Sequence, residues 1–119
     1  MTALAVVVVA VTVGLNAFSG IAALLHWQPI LPGMVKAGVP ESWLTFPIGT
    51  LKTAGAVGLL AGLLVQRPGL IIAAAVGLVL FFVCALYTHV RAGDYTAQFF
   101  LAVFFLTMAC ASLVVSLTA

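Results

Sequence analysis

The sequence predicts an all-α integral membrane protein, an antiparallel four-transmembrane-helix bundle with an interfacial loop after the first helix. Three observations carry that expectation. Of 119 residues, 66% are hydrophobic and 5% charged, whereas a water-soluble domain carries roughly 25% charged residues to cover its surface. The mean hydropathy is +1.38, so lipid must be the solvent for most of the surface. The apolar residues also gather into four stretches, each near the ~20 residues that cross a hydrocarbon core.

The first span is read over Ala3–Leu25. It has no basic segment before it, an apolar run too long for a secretory signal and no clear small-residue cleavage site, so it is expected to stay as a helix. The others are read over Phe46–Val65, Gly69–Val90 and Ala97–Leu117. One real loop, His26–Thr45, and two tight turns, Gln66-Arg67-Pro68 and Arg91–Thr96, remain. Such short connections force neighbouring spans to run antiparallel. Residues 1–119 thus read as one domain, with both termini on one side and the first and third loops on the other.

Without a hydrophobic force between helices in lipid, packing relies on small residues that let backbones approach. The second span offers Ala54, Gly58 and Gly62 with Gly55 alongside, and the third offers Gly69, Ala73 and Gly77. Spacing by four puts each row on one helix face, so these spans are expected to pair through matched smooth stripes. Pro68 fits the hairpin between them, since the first turn of a helix does not need its missing N–H. No internal repeat is evident, which removes support for an inverted-repeat transporter.

Cys84 and Cys110 fall at depths roughly 10 Å apart by helical rise, beyond the reach of a disulfide, and read as small buried hydrophobes. Lys36, Lys52 and Arg91 belong to the side of the first and third loops against Arg67 on the other. The positive-inside rule places that richer side in the cytoplasm. No basic run exists to contact phosphates, so nucleic acid is not an expected partner.

The few polar groups are unevenly distributed in depth. His26 ends the first span, with Asn16 roughly 15 Å deeper. Lys52 lies about 9 Å into the second span, beside Thr50 and Thr53. The third span ends Tyr87-Thr88-His89, and the fourth begins just past Asp94-Tyr95, with Gln98 in its first turn. Alternating helix directions bring all of these to the side of the first and third loops. The first loop is apolar and proline-rich, so Trp27 and Trp43 are expected at headgroup level, with the loop as a lid over the polar mouth. Ser42 would cap the second helix and Glu41 would favour its positive end.

Each group also has a plainer structural role. Lys52 is within snorkelling reach of the interface; the alternative is a role in a pocket or pairing with Glu41 or Asp94. Histidines are tolerated at span ends, and Asn16 in mid-span would hydrogen-bond a neighbouring helix. Arg91 and Asp94 read as a solvated turn pair. The phenylalanines at 81, 82, 99, 100, 104 and 105 read as lipid contact and core. Haem ligation by His26 and His89 is disfavoured because a histidine pair alone is a weak signal. No ligand spacing suggests a metal site.

Several segments carry a family resemblance. Gly49-Thr50-Leu51-Lys52-Thr53-Ala54-Gly55-Ala56-Val57-Gly58-Leu59-Leu60 resembles the second-span signature of DoxX-like membrane proteins. Gly77-Leu78-Val79-Leu80-Phe81-Phe82-Val83-Cys84-Ala85, leading into His89-Val90-Arg91-Ala92-Gly93-Asp94, is similar to their third-span ending. Phe18-Ser19-Gly20 and Ala37-Gly38-Val39-Pro40 are similar too, and the resemblance covers the whole chain in order. It implies a multi-pass protein of a bacterial cytoplasmic membrane, with relatives linked to quinone-dependent sulfur oxidation, lipid-soluble redox cofactors or assembly of other membrane proteins. Many relatives carry Glu where Lys52 stands, so chemistry belonging to that acid would not carry over.

The expected function is binding of a lipophilic small molecule such as a quinone, by an accessory redox-linked subunit. Lys52 and His89 would anchor its polar end, Asn16 and His26 would support them, and Glu41 and Trp27 would border the pocket. Two other readings stand beside it: a proton-transferring, isomerase-like enzyme acting on a lipophilic substrate, and an assembly or chaperone subunit bound to a membrane-protein partner or to further copies of itself.

Overall fold

A computed structural model describes residues 1–118. Five helices form: α1 (Ala3–Leu24), a short α2 (Leu31–Ala37), α3 (Thr50–Leu64), α4 (Pro68–Ala92) and α5 (Ala97–Leu117). The four long ones make a ring in which α1 packs on α3, α3 on α4, α4 on α5 and α5 back on α1. The molecule measures 40 × 24 × 18 Å, long enough to cross a core of about 30 Å. Val9, Leu59, Ile71, Ala75, Leu78, Phe82 and Ala109 fill its centre. Large apolar side chains such as Leu4, Phe18, Leu64, Leu80 and Phe100 stay exposed on the outside, where lipid replaces water as solvent.

The second span differs from its expected outline. Its apolar helical stretch runs over Glu41–Leu64, but regular α-helix begins only at Thr50. Ahead of it lie a 3-10 turn, Glu41–Leu44, and a wide turn, Thr45–Gly49, broken at Phe46, whose φ is −144° and ψ 133°. The pyrrolidine ring of Pro47 explains the break, because it pushes the preceding residue out of helical geometry. Ser42 lies inside the 3-10 turn and caps nothing; neither that turn nor α3 has a side-chain cap. Pro68 opens α4, as its missing N–H allows.

The helical hairpin forms, but its seam is one-sided. A Cβ added at Gly62 would lie 2.5 Å from Ile71, one at Gly58 would lie 3.0 Å from the Ala74 methyl, and one at Gly55 would run into Leu78. The glycines of α3 are therefore holes for larger knobs on α4. Gly69 and Gly77 face open space and Ala73 is exposed, so the second stripe does not meet the first. Both cysteines are free and exposed rather than buried. They sit among the lipid-facing side chains.

The loop after α1 folds back as α2, which packs on α4; its Gly33 lies against Gln98 in the first turn of α5. Trp27 and Trp43 remain about half exposed, at 49% and 43%, and Trp27 packs edge-on to Phe18 at 6.0 Å. Between α1 and α5 a polar contact crosses the core: the Ser112 hydroxyl donates to Thr12 Oγ1 at 2.9 Å, and Thr12 donates to the Val8 carbonyl at 2.9 Å.

Candidate functional site

Two histidines stand at the loop end of the bundle, and each donates to one of the chain's two acidic side chains. A carboxylate can only accept, so the facing ring nitrogen carries the proton. His26 closes α1 with φ of 51°, its N–H and that of Trp27 returning to the Ala23 and Ala22 carbonyls. The ring then spans to the next segment. Nδ1 meets Glu41 Oε2 at 3.0 Å and Nε2 meets the Thr45 hydroxyl at 2.9 Å. With both nitrogens engaged and Glu41 60% exposed, His26 acts as a strut between α1 and the approach to α3.

His89 is placed differently. Gly93, with φ of 67°, reverses the chain after α4, a backbone shape that glycine adopts without steric cost. The reversal brings Asp94 back over the helix end, where its N–H donates to the His89 carbonyl at 2.9 Å. Its side chain takes the His89 Nδ1–H at 2.9 Å on Oδ2, and the Thr96 N–H and hydroxyl on Oδ1 at 3.1 and 2.7 Å. The Thr96 hydroxyl bond, joined by the Thr96 backbone and His89, holds the Asp94 carboxyl below its usual range against the opposing effect of burial. Asp94 is thus a buried orienting group rather than a solvated partner of Arg91, which is exposed. Among the described residues, His89 Nε2 makes no hydrogen bond within the chain.

Lys52 does not reach outward to the interface. Its Nζ donates to Ser19 Oγ on α1 at 2.8 Å. It also lies 5.8, 5.7 and 5.6 Å from the ring centres of Phe81, Phe82 and Phe105 on α4 and α5. The ammonium is therefore inside the bundle, touched from every long helix. The close approach of α3 to α1 needs Gly20, where an added Cβ would be 2.5 Å from Thr53 Oγ1 and 3.1 Å from Lys52 Cβ. The expected ion pair with Glu41 or Asp94 does not form, because each acid is taken by its histidine.

Asn16 is fully buried, but its Nδ2 donates to the Thr12 carbonyl of its own helix at 3.0 Å instead of bonding a neighbouring helix. A mid-helix amide can reach back one turn, and here it does. Its Oδ1 and the Thr53 hydroxyl are buried without a hydrogen-bond partner. Two apolar grooves mark the surface. One, of about 250 Å³, is lined by Phe18, Ile21, Ala22, Leu25 and Trp27. The other, of about 240 Å³, lies between α3 and α4 against Leu51, Ala54, Gly55, Ala74, Gly77 and Leu78. Neither takes in Lys52, His26 or His89, so the groove that Trp27 borders does not contain the lysine.

Sequence reasoning missed Ser19, Thr45 and Thr96 as partners and the three phenylalanines as a box for Lys52. Ser19 and Gly20 were visible within a family-like segment, yet a hydroxyl in an apolar span carries no mark of what it bonds. The His89-to-Asp94 segment was visible too, and the reversal at Gly93 explains its spacing. The family model of the DoxX-like family matches residues 4–112, nearly the whole chain, and the chain belongs to that family. No curated protein and no solved structure matches it.

Proposed function

Starting from membership of the DoxX-like family, we propose that this membrane protein binds a lipophilic small molecule through an oxygen-bearing head group placed at Lys52. The observation that carries the reading is the state of the ammonium. Lysine has three N–H donors, and Ser19 accepts one of them. Intramembrane ionisable groups turned to a bundle interior mark ligand or ion sites, and here the remaining donors sit among phenylalanine rings. A quinone carbonyl is one such acceptor, and it suits an accessory redox-linked subunit of a bacterial cytoplasmic membrane. In this proposal His89 and Asn16 are further polar contacts for the ligand, and His26, Glu41 and Trp27 belong to the loop side of the bundle.

Native mass spectrometry of the mildly extracted chain tests the proposal. A small molecule should be retained by the wild type and lost from Lys52→Met. Loss of a hydrogen bond to a charged donor is worth about 1.5–3 kcal/mol, so affinity should fall roughly tenfold to a hundredfold. Unchanged retention in a folded Lys52→Met bundle refutes the assignment.

A second reading has its own observation. His89 is fixed by Asp94 through Nδ1 with Nε2 unengaged, the arrangement of an oriented general base. A lipophilic substrate would then exchange a proton at Nε2. A bell-shaped pH–rate profile abolished by His89→Ala would favour that enzyme reading over binding alone.

A further inference from the structure

We infer that the head group held at Lys52 is anionic and that the ligand is a lipophilic carboxylic acid, an inference that rests on the binding function proposed above. Charge inside the bundle does not balance without such a ligand. The whole sequence has two acidic side chains, and both are engaged: Glu41 by His26 and Asp94 by His89. The side chains of this protein therefore leave no anion for Lys52. Among the described residues its one hydrogen-bond partner, Ser19, is neutral.

A cation in apolar surroundings is costly unless it is paired and hydrogen-bonded. Three phenylalanine rings at 5.6–5.8 Å attract an ammonium, but ring quadrupoles accept no hydrogen bond of ordinary strength. A neutral carbonyl would satisfy a donor and leave the charge uncompensated. A carboxylate supplies both, with two oxygens for the two N–H groups that Ser19 leaves free. Thr53, the neighbour of Lys52 in sequence, has a buried hydroxyl that finds no partner among the described residues and packs against Gly20 of α1.

The hydrocarbon also has a place. The apolar groove between α3 and α4 is lined from α3 by Leu51, Ala54 and Gly55 and does not include Lys52, so a chain lying in it would pass its carboxyl between the two helices to reach the ammonium. A single chain fits such a seam better than a broad ring, because Gly55 and Leu78 already touch closely there. An anionic phospholipid is a poorer match, since its phosphate is held at headgroup level while Lys52 turns toward the bundle axis.

The test uses the full chain in phosphatidylcholine nanodiscs and four probes: palmitic acid, methyl palmitate, hexadecanol and decylubiquinone. Binding is read by native mass spectrometry and by the carboxyl resonance of [1-13C]palmitate. Palmitate should bind at least tenfold more tightly than the ester, the alcohol or the quinone, and Lys52→Met should erase that preference while Lys52→Arg keeps it. Equal binding of all four probes overturns the acid and leaves lipophilic binding standing. Binding of none overturns both. An acid preference that survives Lys52→Met also overturns the inference, by moving the acid elsewhere. If Lys52→Met fails to fold, the wild-type ratio of acid to ester decides by itself.

Discussion

Gly20→Ala is the sharpest probe of how the lysine is held. The added methyl would lie 2.5 Å from Thr53 Oγ1, 2.9 Å from the Thr53 backbone nitrogen and 3.1 Å from Lys52 Cβ. The hydroxyl can rotate away, but the backbone nitrogen cannot. Restoring an ordinary contact of about 3.5 Å requires α1 and α3 to part locally by roughly 0.6 Å. The Ser19–Lys52 bond, now 2.8 Å, would be stretched toward the ~3.2 Å limit of a good hydrogen bond. Overpacking of this kind costs about 1–3 kcal/mol, while replacing glycine by alanine within a helix returns up to about 1 kcal/mol. Gly14→Ala supplies the control, since its added methyl meets nothing within 4 Å in the same helix. The propensity gain is common to both, so their difference isolates the overpacking, about 1–3 kcal/mol. Reversible unfolding in mixed detergent micelles measures it. Equal stability of the two variants would refute the close α1–α3 contact and the placement of Lys52 derived from it.

Two further expectations concern other parts of the bundle. Thr12→Val and Ser112→Ala should each destabilise it, and a double-mutant cycle should return a coupling of about 0.6 kcal/mol, as for hydrogen bonds between membrane helices; zero coupling would remove the 2.9 Å bond as a contributor. Asp94 has its folded-state pKa depressed, so its stabilisation of the loop is present above the unfolded aspartate value of about 3.9 and is lost as pH falls through the lower folded value. A carboxyl 13C titration should place the Asp94 midpoint below ordinary aspartate, and a midpoint at or above that value refutes the bonding of Asp94 to Thr96 and His89.

The long helices were legible because the physics that makes them is local in sequence. Backbone groups in lipid must bond within their own segment, so an apolar run of sufficient length is already a helix. The fourth span kept its expected bounds, and the first shifted by a single residue at its end. Pro47 was equally visible, yet its effect on Phe46 changed where α3 begins, because a ring constraint acts on the residue before it. The loop histidines were visible as polar residues near the mouth, without any indication of which acid each would take.

Composition and hydropathy by themselves determined that this chain spans a membrane four times, and the sequence signature determined its DoxX-like membership. Depth along a helix also followed from sequence, since rise per residue is fixed. Direction around the helix and choice of partner did not follow. Lys52 had equal freedom, on sequence grounds, to reach outward to the interface or inward to the bundle. Only tertiary packing turned it inward, because Gly20 lets α3 approach Ser19 and the phenylalanines of α4 and α5 close around the ammonium. The same packing gave each acid to a histidine and left the lysine without an internal counter-charge. Pairing of that kind depends on three-dimensional distance between distant segments, a quantity that spacing along one chain does not contain.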